Sequence, residues 1–151
     1  MKGYPKPFIP FLVSVLIALL LTGVLLTPTT LAFRLAWEVA WRLEGDHQLW
    51  ISTLHTTMSF IMLMIFGALW PVHIRAGWRM KANVISGVVM TVVILILALS
   101  GLGILYAGSE SFSVIAAVGH LVLGYLLIFC FPYHFVIGRR LHRKRIHPTK
   151  K

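Results

Sequence analysis

Residues 8–27 read FIPFLVSVLIALLLTGVLLT, an apolar run with no charge in it that stops at Pro28. About 20 residues of this kind, rising 1.5 Å each in a helix, match the hydrocarbon thickness of a bilayer. A secretory signal has a shorter apolar core and a small-residue cleavage site behind it. Neither feature is found here, so the run predicts a retained first transmembrane helix behind a basic opening that holds Lys2 and Lys6.

Outward from this stretch the pattern repeats. Residues 48–72, 83–106 and 111–137 are three further apolar runs of spanning length, and tryptophans lie near both ends of the first of them (Trp50 and Trp70). They are joined by a short basic loop from Arg75 to Lys81 and by the tight turn Ala107-Gly108-Ser109-Glu110; a basic tail, 138–151, follows the last. The whole chain of 151 residues is 58% hydrophobic with a mean hydropathy of +0.87. Soluble domains are nearer 45–50% apolar, roughly, and a soluble fold of this size has nowhere to bury the excess. The expected fold is an all-α membrane protein: one membrane domain over 1–151, built as a four-transmembrane-helix bundle.

Residues 29–44 differ in kind. Arg34, Glu38 and Arg42 recur at i, i+4 and i+8, which puts them on one helical stripe, with aromatic and aliphatic residues around the rest. Capped by Thr29 or Thr30, this segment predicts an extra amphipathic helix lying in the membrane interface, its tryptophans at headgroup level.

The formal net charge is +10, with four acids: Glu38, Glu44, Asp46 and Glu110. The cations sit at the ends of apolar runs rather than along one soluble face, which points to topology and anionic lipid and away from nucleic acid. With the N-terminus inside, twelve Lys/Arg are cytoplasmic and only Arg34 and Arg42 lie outside, so both termini are expected on the cytoplasmic side. The single cysteine, Cys130, allows no internal disulfide, and no C-x-x-C-H or zinc spacing occurs.

The chemistry lies in the histidines. Of seven, four are at membrane depth or close to it: His55 and His73 on the second span, His120 and His134 on the fourth. Ionisable residues inside a membrane are costly and usually functional. His55 and His73 are 18 residues apart, five turns at 3.6 residues per turn, and so share a face. His120 and His134 are 14 apart and share a face to within about 40°. The two spans run in the same direction, so two pairs of imidazoles meet at matching depths. Such a pair can hold a haem iron from both sides, and two stacked pairs hold two haems. The axial separations, about 27 Å on the second span and about 21 Å on the fourth, require tilt or a bend at Pro71.

Small residues would leave room for a macrocycle. Ser59 follows His55 by one turn and Gly124 follows His120 by one turn; Gly67, Gly87, Gly101 and Gly103 offer further slots, or serve ordinary helix–helix contact. Arg34 and Arg42 on one side, and Arg75, Arg79 and Lys81 on the other, are available to haem propionates. His47, two turns before His55, is a rival ligand; beside Asp46 it reads more simply as a solvated loop histidine. His142 and His147 belong to the basic tail.

The motif His120-x-x-x-Gly124 followed after nine residues by His134 resembles a haem-bearing helix of the bacterial di-haem b-type cytochromes. These include the small cytochrome b561-like proteins and the cytochrome b subunits of formate dehydrogenases and hydrogenases. Val72-His73-Ile74-Arg75-Ala76-Gly77-Trp78-Arg79 is similar to the end of the preceding haem helix in such proteins. The resemblance covers residues 49–140. The chain departs from the pattern in the wider spacing of its first pair and in having no histidine on its first span. What the resemblance implies is two non-covalent b haems with bis-histidine ligation, quinone-linked electron transfer and a bacterial inner-membrane location. The partner would be a periplasmic cytochrome c or an iron–sulfur or molybdenum subunit of a larger oxidoreductase. A di-iron enzyme is disfavoured, because its histidines and carboxylates must cluster and no acid lies in a span. The alternative is a non-redox structural or transport subunit of a membrane complex.

Overall fold

The computed structural model describes residues 4–81 and 83–146, with side chains as far as Leu141. It is all helical in those residues apart from turns and one irregular connection, and no strand occurs among them. Helix α1 covers Phe8–Leu35, α2 Gly45–Leu69, α3 Arg75–Arg79, α4 Val84–Tyr106 and α5 Glu110–Ile146. A π-helical turn, Trp70–Ile74, joins α2 to α3, so that α2, the turn and α3 form one continuous rod. Four helical segments are long and apolar enough to cross a membrane, which makes this a multi-pass membrane protein.

The bundle runs up-down-up-down. The α1 helix packs along α2, α4 packs most extensively along α5, and α1 also touches α5; α2 and α5, the two histidine helices, hardly approach each other through their backbones. We call the end where α1 finishes and α5 begins the upper end, and the opposite end the lower. The buried core is small and lies between them: Val15 and Leu16 of α1, Met62 and Ile65 of α2, Val93 of α4 and Leu127 of α5. Most other large apolar side chains face outward, as expected where lipid rather than water is the solvent.

Three features differ from the sequence-based expectation. First, α1 does not stop at Pro28 but continues to Leu35 with that proline inside it. In lipid a backbone that leaves the helix finds no water to bond, so a missing N–H is tolerated where it would end a helix in water. The Thr27 and Thr30 hydroxyls donate back to the carbonyls of Gly23 and Leu26 on either side of it. The helix ends at Ala36, left-handed at φ 52°, with Trp37 N–H reaching back to the Leu31 carbonyl.

Second, the interfacial helix over 29–44 does not form: 36–44 is irregular. Ion pairs at i, i+4 contribute only about 0.2–0.5 kcal/mol each, and these charges find other partners. Arg34 donates to the Ile104 carbonyl of α4 at 3.4 Å, and Arg42 pairs with Glu44 at 3.1 Å while lying over the Phe33 ring. Trp37 and Trp41 remain exposed.

Third, α5 runs past residue 137 through most of the basic tail to Ile146. No proline or glycine interrupts 139–146, and cations near a helix C-terminus are favoured by its dipole. His147 lies outside the described residues, as do Lys2, Lys150 and Lys151, and the side chain of His142 is likewise not described.

Two buried hydroxyls near the upper end, Thr29 Oγ1 of α1 and Ser113 Oγ of α5, have no partner within the described residues. An unsatisfied buried polar group costs about 1–3 kcal/mol, whereas its apolar isostere costs nothing of the kind. Thr29→Val and Ser113→Ala are therefore expected to leave thermal stability in detergent unchanged or raised by about 1 kcal/mol. A clear loss of stability instead would mean that these hydroxyls serve a group the chain does not supply.

Candidate functional site

The histidines meet as their spacing predicts. His55 of α2 and His120 of α5 face each other with ring centroids 6.1 Å apart and planes at 69°. His73 and His134 do the same at the lower end, 6.0 Å apart and at 79°. The spacings differ, 18 residues against 14, and His73 sits in the π-helical turn. Pro71 has no N–H to give to the carbonyl four residues back, and the wider i→i+5 turn takes its place. More residues per turn shorten the rod slightly, in the direction that reduces the mismatch. The apolar core around Met62, Ile65 and Leu127 separates the two pairs.

The helices that carry no described histidine hold the imidazoles in place. Thr22 Oγ1 of α1 lies 2.8 Å from His55 Nδ1. Ser100 Oγ of α4 lies 3.0 Å from His120 Nδ1, and Ser86 Oγ of the same helix lies 2.9 Å from His134 Nδ1. Each hydroxyl has one proton, and each has a place for it elsewhere. Thr22 donates to the Ala18 carbonyl at 2.7 Å, Ser100 to the Leu97 carbonyl at 3.1 Å, and Ser86 to the Asn83 side-chain carbonyl. With those protons so placed, each hydroxyl can accept from Nδ1–H, the tautomer that leaves Nε2 as a lone pair; at His134 the Asn83 side-chain amide, 3.4 Å from Nδ1, can only donate and favours the other tautomer. No hydrogen bond joins His55 to His120 or His73 to His134.

A glycine follows each of these hydroxyls in sequence. A Cβ at Gly23 would stand 3.4 Å from His55 Cε1, one at Gly101 3.7 Å from His120 Cε1, and one at Gly87 3.8 Å from His134 Cε1. The backbone comes up flat against the ring, and the preceding hydroxyl reaches Nδ1. These contacts escaped the sequence reading, though the signal is present. Each Ser/Thr-Gly dipeptide of the chain faces a histidine, and Ser86 and Ser100 are separated by the same 14 residues as His120 and His134 on the antiparallel neighbour.

The other expected site residues fall as follows. Gly124 is half-buried, yet a Cβ there would meet nothing within 4 Å. Ser59 donates to the Thr56 carbonyl of its own helix at 2.7 Å and touches no imidazole. Arg75 and Arg79 are exposed on α3 at the lower end, and His47 is exposed in the first turn of α2, away from the pairs. Among the described residues no three His, Cys, Asp or Glu side chains converge as a polynuclear or zinc-type centre needs. An open cleft of about 490 Å³ lies along the connection between α1 and α2, between Trp37, Glu38, Trp41 and Glu44.

No protein-family model matches the chain, and neither the curated proteins nor the solved structures contain a significant match.

Proposed function

We propose that this protein carries electrons across a bacterial inner membrane on two non-covalently bound b haems, one held by His55 and His120 and the other by His73 and His134. The observation that carries this reading is the geometry of the pairs. Two imidazoles bound on opposite sides of one metal, through bonds of about 2.0 Å and with roughly 1.1 Å from nitrogen to ring centre, have centroids a little over 6 Å apart. Both pairs have that separation, on helices whose backbones keep clear of each other. In the Nδ1–H tautomer the free Nε2 is a nitrogen that a metal takes, and an acceptor on Nδ1, such as the Thr22, Ser100 and Ser86 hydroxyls can supply, is the usual way of orienting such a ligand. Gly124, one turn from His120 and within about 40° of its face, has no side chain to block the edge of a macrocycle there.

Bound haem would supply one-electron chemistry, and the chain would supply its orientation and insulation. The core between the pairs keeps water from the middle of the bundle. Along α5 the two sites are about 21 Å apart, centre to centre, which leaves a shorter edge-to-edge gap for electron transfer. Electrons would pass between a periplasmic redox partner, a cytochrome c or an iron–sulfur or molybdenum subunit, and quinone. Arg75, Arg79 and Lys81 would face anionic lipid on the cytoplasmic side, with both termini.

The test is a reduced-minus-oxidised visible spectrum of the detergent-purified chain with pyridine haemochrome quantitation. Two b haems per chain, reoxidised on adding a quinone, are expected. A colourless preparation would overturn the reading and favour a non-redox subunit.

A further inference from the structure

The two pairs are built differently. Three of the four imidazoles have a hydroxyl on Nδ1 from a neighbouring helix: His55 from Thr22, His120 from Ser100 and His134 from Ser86. His134 is held further by Asn83, whose side-chain amide donates to the His134 backbone carbonyl at 3.2 Å. The His73 ring has no hydrogen-bond partner among the described residues. It is also the one member of the four seated outside regular α-helix, in the π turn beside Pro71. Pro71 and Val72, immediately before it, are exposed, so the turn lies at the surface of the bundle.

These differences act in one direction. A second-shell hydrogen bond on a metal-bound imidazole is worth about 10–100-fold in affinity, because it orients the ring and raises its basicity. His73 has no such bond among the described residues. Its backbone lies in a π turn, a rare conformation found frequently at functional sites, whereas His55 stands in regular α-helix. His134, across the pair, is anchored through both ring and carbonyl. We infer that His73 is an exchangeable ligand: the lower site opens on that side and admits a small uncharged donor such as carbon monoxide, while the upper site, locked by Thr22 and Ser100, stays closed. This rests on the haem-binding reading above. The exchange involves no electron transfer: the imidazole leaves with its lone pair and the incoming molecule donates one in its place. The protein would then hold two different centres, one confined to electron transfer and one able to take a ligand at its iron.

The experiment uses the full chain, purified with its haem, counted by pyridine haemochrome, reduced with dithionite and equilibrated with carbon monoxide. Half of the haem is expected to take up the gas, seen as a shifted Soret band, and half to keep its bis-histidine spectrum. In His134→Ala, which is left with the upper haem, none should bind. In Thr22→Val, which removes the hydroxyl from His55 at almost unchanged volume, the binding share should rise above one half toward the whole. The inference is overturned if no haem binds the gas in the native protein, if both bind it equally, or if the His134→Ala protein binds it. A preparation with no haem at all overturns the underlying reading as well, and the haem count, made before any gas is added, tells that failure from the others.

Discussion

Purified His120→Ala protein is expected to contain one haem per chain instead of two, and so is purified His134→Ala, each having lost a different one. Each substitution removes one of two imidazoles that face each other at 6.1 or 6.0 Å and leaves the other pair, beyond the apolar core, untouched. A non-covalent haem on a single protein ligand keeps neither its geometry nor its low-spin iron. The loss should therefore show as a halved haemochrome absorbance and a changed spectrum for any residual pigment. The double substitution should be colourless and still reach the membrane, because neither histidine belongs to the core. His47→Ala is the control: the side chain is exposed at the start of α2 and its removal should change nothing. If both single variants kept two haems, the haems would be held by other residues and the histidine pairs would be polar tethers between helices.

The topology and the pairing of the four histidines could be read from the sequence for the same reason. An apolar background makes every polar side chain conspicuous, and a helix turns spacing into angle with little freedom. Eighteen residues and fourteen residues name faces almost as soon as they are counted. What was hidden depends on competition between partners. Pro28 is a stop signal only where water can take up the freed backbone, and α1 runs through it. Arg34, Glu38 and Arg42 have helical spacing, yet Arg34 is taken by the Ile104 carbonyl and Arg42 by Glu44 and Phe33, so the stripe is never assembled. In Trp70–Ile74 only Pro71 announces the π turn at His73. The hydroxyls of Thr22, Ser86 and Ser100 sit in spans where back-bonding to the helix would satisfy them alone. Their second role appears only once α1 and α4 are laid beside α2 and α5.

Gly124→Leu is expected to remove the upper haem while leaving the protein as stable as before or more so. The reasoning rests on a disagreement between the protein atoms and the proposed ligand. Gly124 follows His120 by one turn and lies within about 40° of its face. It is half-buried, and yet a Cβ placed on it meets no protein atom within 4 Å. On the chain alone a Cβ there strikes nothing, and replacing a mid-helix glycine removes a penalty of about 0.5–1 kcal/mol. If the space is instead where a macrocycle lies between α2 and α5, a leucine occupies the same volume and the haem cannot enter. Gly119 supplies the comparison. Its Cβ position is as open as that of Gly124, but it precedes His120 by one residue and so points about 100° away from that face. Gly119→Leu should keep both haems, Gly124→Leu only the lower one, and the thermal midpoints of the two haem-stripped proteins should be alike. Equal haem content in both variants would leave the gap beside His120 without an occupant, and the case for the upper site would then rest on the imidazoles alone.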